Sequence, residues 1–435
     1  MIEYRNLRIA LLGAGSVGSQ VADQILQHGD ELAARVGAGL ELIGVAVRNP
    51  KSARETSIPA HLITTDAETL VRNADIVIEV MGGIEPARTL ILSAINAGAD
   101  VITANKALLA HHGPEIFDAA SQVGAQVFYE AAVAGAIPII RPLRESLAGD
   151  RVNRILGIVN GTTNFILDRI DTYGESMESA LAMATELGYA EADPTADIEG
   201  FDAAQKASIL ASLAFHTHVP VESVYREGIT GVTLEQVQEA RKSGYVVKLL
   251  AIAERIVGPD GTEGVSARVY PAMVPLSHPL AAVHGAYNAV FVQAEAAGSL
   301  MFYGAGAGGI QTASAVLGDL VTAARRHVIG GPGVAESTHA TFPILPIGAI
   351  HTRYHVSLDI KDAPGALAEI ASIFAKQGVS VESVEQKTAT DGSLTATLVI
   401  GTHEAIEADL AATVEALAAS PVVEHVSGVL RVEGL

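Results

Sequence analysis

The sequence predicts an α/β protein in three parts: a doubly wound parallel sheet, an α+β domain, and a C-terminal domain of β-α-β-β-α-β order. The chain has 435 residues, which is more than a single hydrophobic core usually serves. The apolar runs Leu7 to Leu12, Ile76 to Val80 and Val101 to Thr103 are separated by helical patterns, as is typical of a buried parallel sheet. From Tyr354 a second alternation of strands and helices begins.

The composition excludes several classes of function. The formal net charge of −21 opposes the phosphate neutralisation on which nucleic-acid binding depends. No segment approaches the roughly 18 consecutive apolar residues that a membrane-spanning helix needs. We therefore expect a cytoplasmic protein that binds neither nucleic acid nor membrane. The chain contains no Cys, so a reaction at an aldehyde would proceed by direct hydride transfer and not through a thiol adduct.

A glycine-rich turn follows the first predicted strand. It reads Gly13-Ala14-Gly15-Ser16-Val17-Gly18 and leads into a helical pattern. Gly13 permits a tight turn, Gly15 lets a pyrophosphate approach the backbone, and Gly18 lets the helix pack closely on the strand. The N-terminus of the helix would face the anion. This context favours a dinucleotide site over a merely structural turn.

The second predicted strand, Leu40 to Val47, ends in a basic residue. A site specific for NAD would more often carry an acidic residue there for the ribose hydroxyls. Arg48, with Lys51 and Arg54 nearby, would instead bind the 2′-phosphate of NADP. The alternative is a solvated basic loop, and the intervening segment 29–39 leaves the register open. We expect NADP, with NAD possible.

Two further segments carry candidate functional residues. Thr103 and Lys106 lie at the carboxyl end of a predicted strand, where open α/β sheets bind their ligands, although Lys106 could equally be a surface residue. Glu130 lies in a small-residue loop among apolar neighbours and needs a partner. That partner could be a cation that turned backbone carbonyls also bind, or else a helix N-terminus or a basic side chain.

The segment from Ala184 to Lys206 holds the densest set of charged residues. Its first part is an acidic, proline-containing loop, and its second part has helical spacing that places Asp202 and Lys206 at i and i+4 on one face. An acidic solvated loop and an ordinary helix salt bridge would explain this pattern. A catalytic reading is favoured, because hydride addition to an aldehyde creates an alkoxide that needs both a positive group and a proton. The acidic residues of the loop are Glu191, Asp193, Asp197 and Glu199.

At these residues the sequence resembles the homoserine dehydrogenase family. The family signature is reproduced by Ala184, Gly188-Tyr189-Ala190, Asp193-Pro194, Asp197-Ile198, Gly200, Asp202 and Lys206. The segments T-A-N-K at 103–106, E-A-A-V at 130–133 and G-I-V-N-G-T-T-N at 157–164 are similar to the family as well. The resemblance covers residues 1 to about 345 and implies reversible, nicotinamide-dependent reduction of L-aspartate 4-semialdehyde to L-homoserine, in the biosynthesis of threonine, methionine and isoleucine.

The resemblance also implies a role for each matched residue. Lys206 would be the general acid and base, and Lys106 would contact both substrate and cofactor. Glu191, Asp197 and Asp202 would hold the amino group of the substrate, and Asn160 and Thr162 would also bind the substrate. Glu130 and the backbone oxygens of Val133, Gly135 and Ile137 would form a monovalent cation site for sodium. Cofactor contacts would come from the glycine-rich turn, Arg48, Thr103, Lys106 and Gly308.

A second glycine-rich segment, Gly304 to Val316, resembles a late family motif that returns the chain to the cofactor domain. Gln311 stands there where a Pro is usual, which puts the local geometry in doubt. The resemblance implies a dinucleotide-binding domain of Rossmann type at 1–140, completed by about 305–340. It also implies an α+β substrate-binding and dimerisation domain at 141–304. The subunits would form homodimers or homotetramers.

The C-terminal part, after the predicted linker at Gly330-Gly331-Pro332-Gly333, resembles an ACT domain at 352–435. Its predicted order is a strand from Tyr354 to Ile360, a loop D-A-P-G, a helix to Gln377, two strands, a helix from Glu404 and a strand near Val426 to Val432. ACT domains bind small effectors, and for this family threonine would be expected. A purely oligomerising role is the alternative.

Two other readings of the whole chain remain open at this point. The chain could be another Rossmann dehydrogenase of an amino-acid aldehyde, although the complete signature from Asp193 to Lys206 speaks against it. It could also be a nicotinamide-bound amino-acid sensor without turnover. That reading predicts damaged catalytic positions, whereas Lys106, Glu191, Asp202 and Lys206 are all present.

Overall fold

The computed structural model describes residues 5–52, 58–258, 261–330, 336–388 and 395–434. Arg54, predicted to help bind a 2′-phosphate, and residues 331–333 of the predicted linker lie outside these ranges. Among the helices within them, none is both long enough and apolar enough to cross a membrane.

The strands and helices are numbered separately along the chain. The strands are β1 (Leu7–Leu12), β2 (Leu40–Ala46), β3 (Ile63–Thr64), β4 (Ile76–Glu79), β5 (Asp100–Thr103), β6 (Val127–Phe128), β7 (Val152–Ile158), β8 (Tyr225–Arg226), β9 (Tyr245–Val257), β10 (Glu263–Pro275), β11 (Tyr287–Ala294), β12 (Gly298–Ala305), β13 (His351–Lys361), β14 (Val381–Thr388), β15 (Thr395–Thr402), β16 (Ala405–Ile406) and β17 (Val423–Val432). The helices are α1 (Ser16–Gln27), α2 (Gly29–Val36), α3 (Ala67–Arg72), α4 (Ala87–Asn96), α5 (Lys106–Val123), α6 (Gly161–Tyr173), α7 (Met177–Glu186), α8 (Thr195–Ile198), α9 (Phe201–Phe215), α10 (Leu234–Lys242), α11 (Gly309–Ile329), α12 (Ala366–Lys376) and α13 (Glu407–Ala418).

The chain divides into two compact units, and the first contains the predicted parallel sheet. This unit comprises Met1–Gly161, Asp202–Glu222 and Ala286–Thr341. Its parallel strands run in the order β3-β2-β1-β4-β5-β6, the Rossmann arrangement in which the order reverses between β1 and β4. The predicted strands β1, β2, β4 and β5 match the observed ones to within one residue at each end.

Helix α11 returns the chain to this parallel sheet. Ala313, Val316 and Leu320 of α11 lie in the same buried core as Ile9 of β1 and Val21 of α1. The late glycine-rich segment therefore begins a helix of the cofactor domain, as the sequence predicted. The first unit also contains an antiparallel arrangement in which β11 pairs with both β12 and β7.

The second unit comprises Thr162–Phe201, Ser223–Gly285 and Phe342–Leu435. Its long strands β9 and β10 form an antiparallel pair, and β8 runs parallel to β10. The C-terminal elements follow the predicted β-α-β-β-α-β order as β13, α12, β14, β15, α13 and β17, with the short strand β16 before α13. Buried side chains of Leu358, Ile370, Phe374, Leu398 and Leu410 form the core of this ACT domain.

The last strand of the ACT domain is joined to the rest of the second unit. Strand β17 pairs antiparallel with β13 inside the ACT domain and parallel with β10 through Arg431 and Val432. Arg431 also binds Glu407 at 2.7 Å and Glu227 at 2.8 Å. The ACT sequence pattern predicts the elements of the domain, but it does not predict this pairing with a strand of another domain.

Candidate active site

Two lysines and one carboxylate form the centre of the candidate active site, all within the first unit. Lys206 Nζ lies 2.6 Å from Oδ2 of Asp202, and Lys106 Nζ lies 2.7 Å from Oδ1 of the same carboxylate. Asn160 Nδ2 donates to Asp202 Oδ2 at 3.0 Å, and Lys206 Nζ donates to the carbonyl oxygen of Val159 at 2.7 Å. We call Lys106, Asn160, Asp202 and Lys206 the Asp202 cluster.

Three elements bring the Asp202 cluster together. Asp202 lies in the first turn of α9, and Lys206 follows one helical turn later on the same face. Lys106 is the first residue of α5, whose N-terminus is capped by the side chain of Asn105. Asn160 follows the end of β7 and precedes α6. The predicted i and i+4 pair is confirmed, and the structure adds Lys106 and Asn160 to it.

Electrostatics keep Asp202 ionised. Asp202 and Lys206 are buried, at 7% and 8% exposure. Burial opposes ionisation of Asp202, but the positive charges of Lys206 and Lys106 outweigh it and hold the pKa of the carboxyl well below its usual range. One carboxylate thus orients two ammonium groups. The Lys106 side chain is 41% exposed, so it can also contact a ligand.

The glycine-rich turn has the geometry that a dinucleotide requires. Gly13 has φ +102°, and a Cβ on Gly18 would lie 2.1 Å from the carbonyl oxygen of Gly13, so neither position accepts a larger residue without rearrangement. Gly15 borders open space and precedes α1, whose N-terminus receives no side-chain cap. The free N–H groups of this helix end suit a pyrophosphate. A nicotinamide dinucleotide therefore fits the residues present.

The second glycine-rich segment reaches the same turn. A Cβ on Gly309 would lie 2.8 Å from the carbonyl oxygen of Ser16, which shows how closely the two segments approach. Gly308 has φ +129° and precedes α11. A Cβ on Gly308 would lie 2.2 Å from Gln311 Oε1, so the side chain of Gln311 folds back over Gly308. Gln311 is the residue that departs from the family pattern.

A buried carboxylate at the end of β4 was missed by the sequence reasoning. Glu79 accepts hydrogen bonds from the Thr103 hydroxyl at 2.7 Å and from the backbone N–H groups of Met81 and Gly82. Burial raises the pKa of Glu79. Asn105 likewise donates to the carbonyl oxygen of Gly83 at 2.6 Å. Glu79 and Asn105 fix the strand ends beside the cofactor turn, and their only sequence signal is a polar residue at the end of an apolar run.

The carboxylate of Glu130 contacts backbone N–H groups and a basic side chain. Its carboxylate, 1% exposed, accepts hydrogen bonds from the backbone N–H groups of Ile139, Ile140 and Arg141 at 2.6 to 2.9 Å. Arg141 Nε lies 3.2 Å from the same carboxylate and 3.6 Å from Asp319. Burial raises the pKa of Asp319 to about 7. Glu130 thus contacts both partners that the sequence offered besides a cation: backbone N–H groups at the N-terminus of a short π-helix, Pro142–Ser146, and a basic side chain.

The backbone of the following loop does suit a cation. Ala134 and Gly135 have φ values of +58° and +57°, so two successive residues adopt the left-handed conformation. Such a turn redirects the carbonyl groups around Val133 and Gly135 away from regular structure. Among the described residues, no group of three or more His, Cys, Asp or Glu could hold a metal ion.

The remaining predicted substrate residues lie in the second unit. The hydroxyl of Thr162, at the start of α6, donates to the carbonyl oxygen of Tyr189 at 2.6 Å. This bond ties α6 to the loop that carries Glu191, which is exposed. Asp197 is half-buried on α8. Arg48, predicted to bind a 2′-phosphate, lies in the first unit, exposed just beyond β2.

Family models match the chain in three places. The model described as "Homoserine dehydrogenase, NAD binding domain" matches residues 13–130, the model "Homoserine dehydrogenase" matches 138–321, and the model "ACT domain" matches 354–421.

Named relatives are similar over nearly their whole length. The homoserine dehydrogenase of Corynebacterium glutamicum is 52% identical over 98% of this chain and 95% of its own, and that of Mycobacterium tuberculosis is 54% identical over 98% and 97%. A crystal structure of a homoserine dehydrogenase from Thiobacillus denitrificans has a TM-score of 0.92 at 39% identity, covering 99% of both chains. A hyperthermophilic archaeal homoserine dehydrogenase in complex with NADPH has a TM-score of 0.62 at 27% identity, over 75% of this chain and 99% of its own.

Proposed function

The chain belongs to the homoserine dehydrogenase family, and from that premise we propose which residue performs each step of the reaction. Members of this family are NAD(P)-dependent oxidoreductases that act on a CH–OH group. The reaction is the reversible reduction of L-aspartate 4-semialdehyde to L-homoserine, which leads toward threonine, methionine and isoleucine. The observation that carries the proposed roles is the Asp202 cluster, in which one buried carboxylate orients two lysines.

Lys206 is the general acid and base in this proposal. When bound, NADPH would supply the hydride for the aldehyde carbon, and negative charge would then develop on the carbonyl oxygen of the substrate. Lys206 donates a proton from Nζ to that oxygen and gives the primary alcohol. Its bonds to Asp202 and to the carbonyl oxygen of Val159 hold the ammonium in place. In the oxidation of homoserine, the neutral amine of Lys206 removes the hydroxyl proton.

Lys106 and Asp202 support this transfer. The Lys106 ammonium, less buried than that of Lys206, stabilises the developing charge and contacts the cofactor. Asp202 remains ionised and holds both ammonium groups in their places. Asn160 fixes the Asp202 carboxylate through its amide N–H. Glu191, Asp197 and Thr162 belong to the proposed substrate-binding residues, with the acidic side chains facing the substrate ammonium.

The experiment that tests these roles is oxidation of L-homoserine at alkaline pH, followed at the nicotinamide absorbance. It compares wild type with variants that lack the Lys206 ammonium. No homoserine-dependent signal from folded wild type would contradict the reaction, and other amino-acid aldehydes and alcohols would then be the substrates to screen. A silent sensor would bind NADPH and an amino acid but turn over none of these compounds.

Arg48 is the proposed determinant of NADP over NAD. It is an exposed guanidinium two residues after the end of β2, and the structure of the archaeal relative is a complex with NADPH. We expect Arg48→Ala to raise the KM for NADP by about tenfold, because one charge-assisted hydrogen bond is lost. The KM for NAD should hardly change. Arg72→Ala is the matched control, since it removes a positive charge on α3 that is 61% exposed and is not among the predicted cofactor contacts. An unchanged ratio of NADP to NAD activity in Arg48→Ala would remove Arg48 from the cofactor site.

A sodium ion is part of the proposal, with the backbone oxygens of Val133, Gly135 and Ile137 as its ligands. The consecutive left-handed residues Ala134 and Gly135 support this set. The carboxylate of Glu130 is given a supporting role, because it already accepts three backbone hydrogen bonds. Hard monovalent ions favour such oxygen ligands.

The ACT domain is the proposed regulatory part, with threonine as its effector. Helix α12 begins after Gly365, and its N-terminus receives no side-chain cap. The N–H of Ala366 donates to the carbonyl oxygen of Ala363 at 3.2 Å, so the N–H groups that follow it in the first turn of α12 are the proposed donors to the carboxylate of a free amino acid. The alternative, an ACT domain that only joins subunits, predicts no response to threonine.

A pair of variants at Gly365 tests threonine binding. Gly365 has φ +95°, so Gly365→Ala and Gly365→Asp introduce a similar backbone strain. Only Asp adds a carboxylate that competes with the effector for the N-terminus of α12. We expect the threonine concentration for half-inhibition to rise at least about tenfold in Gly365→Asp relative to Gly365→Ala. Equal inhibition of both variants would place the effector elsewhere.

Association of the subunits into homodimers or homotetramers, in the cytoplasm, is also proposed. Strand β12 supports it, because Met301 and Tyr303 are exposed along this strand and Tyr303 stacks on the exposed Tyr287. Exposed apolar side chains along a strand favour pairing with another chain. Sedimentation of the full chain measures the size of the assembly.

A further inference from the structure

Asn288, the second residue of β11, is a buried polar side chain that the roles above leave unexplained. It is 1% exposed. Neither Nδ2 nor Oδ1 of its amide has a hydrogen-bond partner within the described part of the chain. An unpaired buried polar group is unfavourable, because it loses its hydrogen bonds to water without replacing them, and this amide contains two such groups. A residue that destabilises the fold in this way calls for a functional explanation.

The surroundings of the amide connect the candidate active site with the cofactor turn. A Cβ on Gly306 would lie 2.0 Å from Asn288 Nδ2, and a Cβ on Gly161 would lie 3.5 Å from Oδ1. The amide therefore lies between these two glycines. Gly161 directly follows Asn160 of the Asp202 cluster. Gly306 also approaches Gly135. A Cβ on Gly135 would lie 2.4 Å from the carbonyl oxygen of Gly306.

Gly306 belongs to the segment from the end of β12 to the first residue of α11, which we call the turn Gly304–Gly309. Asn288 pairs with Gly304 across the β11–β12 ladder, and Gly309 at the far end of the turn approaches Ser16. The turn contains four glycines, so its backbone can shift at low steric cost. Its backbone N–H and C=O groups can match an amide, which offers both a donor and an acceptor.

We propose that Asn288 is a positioning residue that binds the backbone of the turn Gly304–Gly309 when the nicotinamide cofactor is bound. The Asn288 amide offers a donor and an acceptor to the backbone of this turn, and these bonds would hold the turn in place beside the cofactor site. A buried amide without a partner is unfavourable, so an arrangement in which the backbone of the turn binds it is favoured. This inference rests on the proposed cofactor site, but the reaction itself does not depend on it.

Asn288→Leu tests the inference, because Leu has a similar volume and no polar atoms. A positioning role predicts that the ligand-free variant has a Tm equal to or above that of wild type, since two unsatisfied groups are removed. It also predicts that kcat/KM for NADP falls by about tenfold or more. Asn164→Leu is the control for stability. The amide of Asn164 donates to the carbonyl oxygens of Val283 and Gly285, so its loss should lower the Tm.

Hydrogen exchange of the full-length wild type provides a second measurement, which does not depend on any variant folding. The amides of residues 305–309 should become more protected when NADPH is added. Unchanged protection there, or an Asn288→Leu variant with kcat/KM for NADP within about twofold of wild type, would make Asn288 a packing residue only. Wild-type oxidation of homoserine with NADP would continue in either case, so failure of this inference is distinguishable from failure of the proposed reaction.

Discussion

Lys206→Ala is expected to lower kcat for the oxidation of L-homoserine by about 10²- to 10⁴-fold, the usual contribution of a general acid or base. The variant should fold, because Asp202 keeps a cationic partner in Lys106 at 2.7 Å and a hydrogen bond from Asn160. NADP should bind with its wild-type affinity, since the glycine-rich turn is untouched. The measurements are the rate at the nicotinamide absorbance and a titration of cofactor binding by fluorescence.

Lys206→Arg separates the two contributions of the lysine. Arg preserves the positive charge beside Asp202, but it does not give up a proton at any pH at which the enzyme folds. If proton transfer is the main contribution, Lys206→Arg should be as slow as Lys206→Ala. If positive charge alone stabilises the alkoxide, Lys206→Arg should recover much of the activity. Activity of Lys206→Ala above about a tenth of wild type would contradict the acid/base role altogether.

The Asp202 cluster shows how far sequence reasoning extends. The pair Asp202 and Lys206 could be predicted, because helical spacing alone places residues i and i+4 on one face. That Lys106 shares the same carboxylate could not be predicted from spacing, since 96 residues separate it from Asp202 and only the tertiary fold joins α5 to α9. The resemblance supplied a role for Lys106, and the structure supplied the contact.

The same distinction applies to the fold: strands with a local sequence pattern could be predicted, and pairing between distant strands could not. Strands β1, β4 and β5 could be located from sequence, because strands buried on both faces appear as continuous apolar runs. The pairing of β17 with β10 could not, because backbone pairing between distant segments leaves no local pattern. Asn288 is a similar case, since nothing in the sequence Tyr287-Asn288-Ala289 indicates that its amide is buried without a partner.

Glu130→Ala is expected to lower the free energy of unfolding by about 3 to 5 kcal/mol, the usual effect of removing one member of a buried ion pair. The carboxylate accepts hydrogen bonds from three consecutive backbone N–H groups, those of residues 139–141, and contacts the guanidinium of Arg141. All of these donors would be left without their acceptor. Denaturant unfolding of the ligand-free protein measures the loss, and Glu145→Ala, at an exposed residue of the following turn, is the control.

Glu130→Gln then separates the stabilising role of this side chain from ion binding. The amide oxygen of Gln can still accept backbone hydrogen bonds, so this variant should be more stable than Glu130→Ala. If the backbone oxygens of Val133, Gly135 and Ile137 hold the sodium ion, the dependence of kcat/KM on sodium concentration should resemble that of wild type, with choline as the replacement cation. If the carboxylate is a ligand, loss of its charge should raise the half-activating sodium concentration about tenfold or more. The contacts of Glu130 favour the first outcome, because a carboxylate already surrounded by N–H donors has little capacity left for a cation.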